Sequence, residues 1–246
     1  MPRLFLHQKR ISAPSVVRLT GDEVHHLRVM RLKPGDFIYI SDGSGNQYKA
    51  EIKAITRALA EIEIHKSELV PRKPRPKIIL GQAIPRFTKI EFILQKATEL
   101  GVDDICLLQT ERSFLPKDRP FSQNRWHRWK RIVSEAAKQS GRTDIPILFP
   151  PKTLDAFLEK EPDSDLKICL WEGGDQENGI KDILRAQKKP DAISVLIGPE
   201  GSFSENEIEK IRAAGYQTLS CGPRIMRVET AALTCMAICQ YEWGDM

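Results

Sequence analysis

A chain of 246 residues with 41% hydrophobic and 29% charged content is a globular protein large enough to bury a sizeable core, and a disordered chain is excluded. No apolar run approaches the roughly 20 residues that span a bilayer, and the first ten residues hold no apolar stretch suited to a signal peptide, so a cytoplasmic protein is expected. The formal net charge of +5 is unevenly placed: residues 1–77 carry 15 Lys+Arg against 8 Asp+Glu, and the rest carries 23 against 25, which points the basic part towards a polyanionic partner.

In chain order, short strand-like runs come first: residues 3–6, 16–19, 37–41, 47–55 and 59–64. A helix is expected over 22–32. Asp42-Gly43-Ser44-Gly45-Asn46 has the composition of a hairpin turn. His25 and His26 are adjacent, so they cannot share one helix face as a metal pair, and packing is the expected role for them. Together these runs describe a small β-barrel-like domain over residues 1–70. The alternating prolines of Pro71-Arg72-Lys73-Pro74-Arg75-Pro76-Lys77 fit neither a helix nor a central strand and read as an extended linker.

From residue 78 strands and helices alternate. Strands are expected at 78–84, 105–109, 145–149, 168–172, 193–198 and 216–220. Thr88 and Glu91 form a T-x-x-E capping pattern ahead of Ile93, Leu94, Ala97 and Leu100, with Gly101 placed to stop the helix. A second helix over 125–140 carries an apolar stripe of Trp129, Ile132, Val133, Ala136 and Ala137 before Gly141. Ser204 and Glu207 repeat the capping pattern ahead of Ile208 and Ile211, and Gly215 closes that helix. This alternation is the signature of an α/β domain on a mostly parallel sheet, here 78–246. Cys106, Cys169, Cys221, Cys235 and Cys239 show no C-x-x-C spacing, so reduced, buried thiols are expected, with no disulfide framework and no metal site.

Two segments carry chemistry. In 193–204 an apolar strand runs into Gly198-Pro199-Glu200-Gly201 and then a capped helix. Neither G-x-G-x-x-G nor a P-loop lysine is present, and either a ligand loop or a plain strand–turn–helix corner fits. In 220–232 Arg224, Arg227 and Glu229 enter an apolar helix expected to be buried. Buried charge needs a partner or a role, so a simple Arg–carboxylate bridge is the alternative to a site.

Segments 197–204 and 222–231 together resemble the 16S ribosomal RNA uridine-N3 methyltransferase family of the SPOUT superfamily. So do His25-His26-Leu27-Arg28-Val29-Met30-Arg31 with Lys33-Pro34-Gly35-Asp36, and segments 93–102, Thr110-Glu111-Arg112-Ser113 and 135–142. The resemblance runs along the whole chain. It departs at Ser202, where a glycine is usual, at Cys221 and Met226, where leucine is common, and at Lys89, where arginine is usual; Ser202 is expected to stiffen its loop slightly.

The resemblance implies a SPOUT-type parallel sheet with a C-terminal trefoil knot, an N-terminal PUA-like RNA-binding domain, a homodimer, and S-adenosylmethionine (SAM) as cofactor. Carried over by position, the cofactor residues are Leu170, Glu172, Leu196, Ile197, Gly198, Pro199, Glu200, Gly201, Leu219, Cys221, Gly222, Ile225, Met226 and Arg227. Uracil N3 holds a proton until a base removes it. Glu229 is the candidate base or orienter, Arg227 the anion stabiliser and Glu200 a second choice of base. The RNA partner, 16S ribosomal RNA in the small ribosomal subunit, is expected to meet Arg3, Arg10, Arg28 and Arg31 in the first domain. Arg112 and Arg125 are its candidate contacts in a second basic stretch, where at least one of Trp126 and Trp129 belongs to the core. A non-catalytic RNA-binding or ribosome-assembly protein of the same fold, and a SPOUT methyltransferase with another RNA target, are the alternatives.

Overall fold

The structure, a computed structural model, describes residues 3–5, 14–43, 45–69, 75–115, 121–160, 163–175 and 179–246. The chain divides into two compact units, residues 1–72 with 137–145 and residues 73–136 with 146–246. No helix among the described residues is long and apolar enough to cross a membrane.

The first unit is a five-stranded sheet ordered β1 (Arg3–Phe5), β3 (Phe37–Ser41), β4 (Asn46–Ile55), β5 (Leu59–Leu69) and β2 (Ser15–Thr20). Strands β3, β4, β5 and β2 pair antiparallel and β1 joins β3 in parallel. Inward-facing Val17, Leu19, Ile38, Ile40, Ile52, Ile62 and Ile64 form the core with Val24 and Leu27 of α1 (Asp22–Val29). The expected hairpin turn is present: Asp42 Oδ2 accepts from Asn46 Nδ2 at 2.8 Å and from the Tyr48 hydroxyl at 3.2 Å.

Three expectations in this unit need correction. Strand β5 continues past residue 64 to Leu69, because a register shift at Lys49/Ala50 leaves His65 unpaired and pairing resumes at Lys66. Helix α1 stops at Val29 and not at 32. Arg31 takes φ 55° and Leu32 N–H reaches back to the Leu27 carbonyl at 3.1 Å, a Schellman closure. His25 and His26 are both exposed, so packing is not their role. Residues 137–145 belong here too: Gly43 bridges Asp144 in parallel and Gly45 N–H donates to the Thr143 carbonyl at 3.2 Å.

The second unit holds six parallel strands ordered β11 (Gln217–Leu219), β9 (Leu166–Asp175), β10 (Ala192–Ile197), β6 (Lys77–Ala83), β7 (Asp104–Gln109) and β8 (Ile147–Thr153). The expected α/β parallel sheet is therefore present. Strand β8 starts later than expected and contains Pro150 and Pro151, which its edge position tolerates. Of the expected linker, residues 71–74 lie outside the described residues. Arg75 is a bidentate partner of Asp103, 2.8 Å on each arm, and Lys77 opens β6.

Ile79, Cys106, Leu108, Cys169 and Leu196 face Phe157 of α4 (Leu154–Leu158) and Phe203, Ile208 and Ile211 around α6 (Glu205–Ala213). Alternation along the strands sends Val195 and Ile197 to the other face. There α7 (Val228–Trp243) meets β10, and α2 (Phe87–Glu99) packs on α7. Helix α3 (Gln123–Gln139) buries Trp129 completely, while Trp126 is half-buried; α5 (Ile180–Ala186) joins β9 to β10.

The capping pattern was right for one helix and wrong for the other. Ser204 and Glu207 form the full reciprocal box on α6. Helix α2 instead starts at Phe87 with Arg86 at its N-cap, and no side chain caps it. Phe87 is held in an edge-to-face contact with Phe114, centroids 4.9 Å apart, which draws the helix start ahead of Thr88. Glu91 forms an ion pair with Arg128 at 2.6 Å.

Candidate active site

The loops at the carboxyl ends of β10 and β11, with Leu170, Trp171 and Glu172 of β9, surround a cavity of about 740 Å³. Open parallel sheets bind ligands at that end of their strands, and the volume lies within the range of small-molecule sites, ~300–1,000 Å³. Two glycines let the walls close up. A Cβ on Gly174 would lie 2.6 Å from the backbone carbonyl carbon of Leu219, and one on Gly198 would lie 3.2 Å from the Phe203 nitrogen. Ser202 N–H closes a turn on the Pro199 carbonyl at 2.9 Å and takes φ 61°, a left-handed conformation that suits glycine.

Most of the residues expected at the cofactor line this cavity. Leu170 and Glu172 come from the middle of β9, Ile197 from the end of β10, and Gly198, Pro199 and Glu200 from the loop after it. Leu219 comes from the end of β11, and Cys221, Gly222, Ile225, Met226 and Arg227 from the loop after it. Leu196 and Gly201 do not line it. Leu196 is wholly buried in the core against Gly81, and the Gly201 carbonyl accepts from Arg112 Nη1 at 2.7 Å. Ser220, Pro223 and Arg224 lie within the expected stretch from Leu219 to Arg227 and also line the cavity, whereas the sequence reading missed Trp171, Ser202, Val228 and Ala231, which adjoin residues it named, and Lys89, which lies far away in the chain.

Lys89 joins the two carboxylates singled out in the sequence. Its Nζ lies 3.2 Å from Glu200 Oε1 and 3.8 Å from Glu229 Oε2. Glu200 Oε1 also accepts from the Arg86 backbone N–H at 3.2 Å. Burial pushes the Glu200 carboxyl up. Hydrogen bonds from its own backbone, from Arg86 and from Lys89, with the Lys89 charge, outweigh that and hold it below the ordinary glutamate value. Glu229 differs: its Oε2 is buried and accepts no hydrogen bond.

Arg227 was expected inside a buried helix and is exposed instead. It is the N-cap residue of α7, with φ −63° and ψ 154°, so its side chain leaves the helix for the cavity mouth. The bridge available to Glu229 is thus to Lys89 and not to Arg227. Glu229 itself is half-buried in the first turn of α7.

Among the candidate RNA contacts, Arg28 and Arg31 are exposed at the end of α1. Arg10 and the side chain of Arg3 lie outside the described residues. Arg112 is engaged with Gly201, and Arg125 lies 3.5 Å from the centroid of the Phe87 ring. Cys106, Cys169, Cys235 and Cys239 are buried as expected, and Cys221 is half-buried; all five thiols are free. The sequence reading did not notice one group of possible metal ligands, Glu51, Glu63 and His65. Lys53 lies between its carboxylates, 2.8 Å and 2.7 Å away, and offsets one of their two charges.

Comparison with known proteins bears directly on this cavity. Residues 71–240 match the RNA methyltransferase domain family, and residues 19–64 match the RNA methyltransferase PUA domain family. The ribosomal RNA small subunit methyltransferase E of a Synechocystis strain is 35% identical over 229 residues, covering 91% of this chain and 72% of its own. That of Bacillus subtilis is 28% identical over 248 residues, covering 98% and 97%. The crystal structure of the Neisseria gonorrhoeae ribosomal RNA small subunit methyltransferase E, bound to S-adenosyl methionine, superposes with a TM-score of 0.86 at 31% identity over 99% of this chain and 98% of that one. These matches cover 91–99% of this chain, and the chain belongs to the RNA methyltransferase family of the ribosomal RNA small subunit methyltransferases E.

Proposed function

We propose that the chain methylates N3 of a uridine in 16S ribosomal RNA of the small subunit, with SAM as donor. The supporting observation is the cavity between β9 and the loops after β10 and β11, with Lys89 and Glu200 in its wall and Glu229 3.8 Å from Lys89. A non-catalytic RNA binder has no need of such a cavity. The cavity suits an adenosyl cofactor in size and in its mixture of apolar side chains and close-packed backbone. Leu170, Gly198, Leu219, Ile225 and Met226 would hold the adenosyl part, and Glu172 supplies negative charge on the same wall. SAM brings an electrophilic methyl group on a sulfonium, which is chemistry no side chain offers.

The chain's own work is to hold the uracil, exclude water and move one proton. Glu229 suits the base role better than Glu200. Its Oε2 has no hydrogen bond to give up, whereas Glu200 is fixed as an ionised acceptor. Arg227, at the cavity mouth, would meet RNA phosphate or a uracil oxygen. Arg3, Arg10, Arg28 and Arg31 belong to the RNA-binding part of the reading. A first domain over 1–70, a C-terminal trefoil knot, a homodimer and a cytoplasmic location complete it.

The test is incubation with labelled SAM and unmethylated small ribosomal subunits, then mapping of the modified nucleotide by mass spectrometry. One 3-methyluridine in the small-subunit RNA is expected. SAM binding without RNA methylation would instead support the non-catalytic reading.

A further inference from the structure

Lys89 has no role in the chemistry described so far. It projects from the first turn of α2 into the cavity, with its side chain 30% exposed, and it touches both carboxylates of the site. At 3.2 Å it is bonded to Glu200; at 3.8 Å from Glu229 Oε2 it is too far for a hydrogen bond. An ammonium group has three donors, so Lys89 keeps capacity on the side that faces Glu229.

Uracil presents along one edge an acceptor (O4), a donor (N3–H) and a second acceptor (O2). The Lys89 ammonium, which lines the cavity, and the Glu229 carboxylate beside it, 20% exposed, offer a donor and an acceptor for the O4/N3–H half of that edge. Cytosine presents the reverse, a donor at N4 and an acceptor at N3, and would set like against like. The arrangement therefore discriminates as well as binds.

The direction of bonding adds a second demand. The lone pair that becomes the new N3 bond points along the former N–H bond, in the plane of the ring. A carboxylate that accepts the N3 proton stands in that same direction and cannot remain there when the methyl group arrives. Deprotonation must come first, and the resulting anion, its charge shared between O2, N3 and O4, needs a cation that stays in place. Glu229 takes a proton and then has no charge to offer. A cation beside O4 meets the need.

We infer that Lys89 is a catalytic residue that holds O4 of the target uracil and stabilises its N3-deprotonated form, while the partly exposed Glu229 carboxylate beside it receives the proton. The N3–H bond breaks with its electron pair left on the ring, and the proton passes to Glu229 and then to solvent. Glu200 anchors Lys89 at the correct reach. The charged groups facing Lys89 are Glu200 and Glu229, and Glu172, Arg224 and Arg227 line the same cavity. This inference rests on the uridine-N3 reading above.

Single-turnover methylation of unmethylated small ribosomal subunits, measured from about pH 6 to pH 10, tests it with Lys89→Met, Lys89→Gln and Lys89→Arg. SAM affinity by calorimetry and the Tm of each variant are read alongside. Loss of the cation should slow methyl transfer about 100-fold near neutral pH. It should also displace the rising limb of the profile upwards by about one pH unit, so that much of the rate returns at high pH. Lys89→Arg should stay within about tenfold of wild type, and SAM affinity should move by less than about threefold in all three variants.

An unchanged pH profile in Lys89→Met or Lys89→Gln would overturn the inference. So would a loss of SAM affinity large enough to explain the rate, or a fall in rate that tracks a fall in Tm and is shared by Lys89→Arg. Wild-type protein that binds SAM and methylates another atom or another base would refute the underlying reading itself, and the two failures are told apart by the wild-type product.

Discussion

Arg112 Nη1 donates to the carbonyl oxygen of Gly201 at 2.7 Å, so the loop after β7 holds the loop after β10 by its backbone. A Cβ at Gly201 would lie 3.2 Å from Arg112 Cδ, which shows how closely the arginine stem lies along that loop. One residue earlier, Glu111 N–H donates to Glu207 Oε1 at 2.8 Å, and the other oxygen of Glu207 completes the capping box of α6. The cavity loop is thus fastened from both sides.

Arg112→Ala should therefore loosen the cavity loop without unfolding the protein. A hydrogen bond from a charged donor contributes ~1.5–3 kcal/mol when shielded, and less at an exposed arginine such as this one. SAM affinity measured by calorimetry should fall by about three- to tenfold, with Tm nearly unchanged. Unaltered SAM affinity would separate this contact from the cavity.

Glu207→Ala should act on stability. The carboxylate is 5% exposed and accepts from the backbone N–H groups of both Ser204 and Glu111, so truncation leaves two donors without their partner. A loss of about 2 kcal/mol is expected, which lowers the Tm of a protein of this size by ~4–8 °C. Scanning calorimetry checks it, with Glu207→Gln as an intermediate case.

How much of this was legible in the sequence depends on how far each partner lies along the chain. Ser204 and Glu207 are three residues apart, and the capping box they spell is the one that forms. Thr88 and Glu91 spell the same box and it does not form, because Phe87 packs on Phe114 and the Arg86 N–H finds Glu200, 114 residues away. The glycine-rich loops were readable because Gly198 and Gly222 punctuate apolar strands. Lys89 was visible only as a departure from a resemblance; no local pattern links it to Glu200 or Glu229. The extra reach of β5 and the early stop of α1 follow from a bulge and a backbone closure that depend on register, which periodicity does not encode.

Ser202 offers a test of strain. Its φ of 61° costs an L-residue roughly 1 kcal/mol more than glycine, which takes that conformation freely. Ser202→Gly also enlarges the freedom of the unfolded chain, which offsets part of the gain. A Tm rise of about 1–3 °C is expected. A clear fall in Tm would show that the serine side chain contributes more than its backbone strain removes.

The ion pair of Glu200 makes stability depend on acid pH. Its carboxyl is held below the ordinary value of 4.5, so the folded state binds its proton less readily than the unfolded state does. The stabilisation is therefore fully present above that value and disappears as the pH falls through the lower, folded one. Wild type should be more stable than Glu200→Gln at about pH 7 in urea unfolding, and the two should converge in strong acid. A difference that persists at low pH would locate the effect of Glu200 in something other than its charge.

Cys221 provides a direct readout of cavity occupancy. The four other thiols are no more than 2% exposed, whereas Cys221 is half-buried and lines the cavity. Burial pushes its thiol up, so little thiolate is present near neutral pH and the rate of alkylation should rise steeply as the pH is raised. In the folded protein one equivalent of N-ethylmaleimide should react, mass spectrometry should place it on Cys221, and saturating SAM should slow the reaction about tenfold or more. The order of events matters for the interpretation: alkylation first should abolish SAM binding, because the added group fills the space against Leu219 and Met226. Equal labelling with and without SAM would mean that the cofactor does not enter between these loops, and the assignment of the cavity would fail with it.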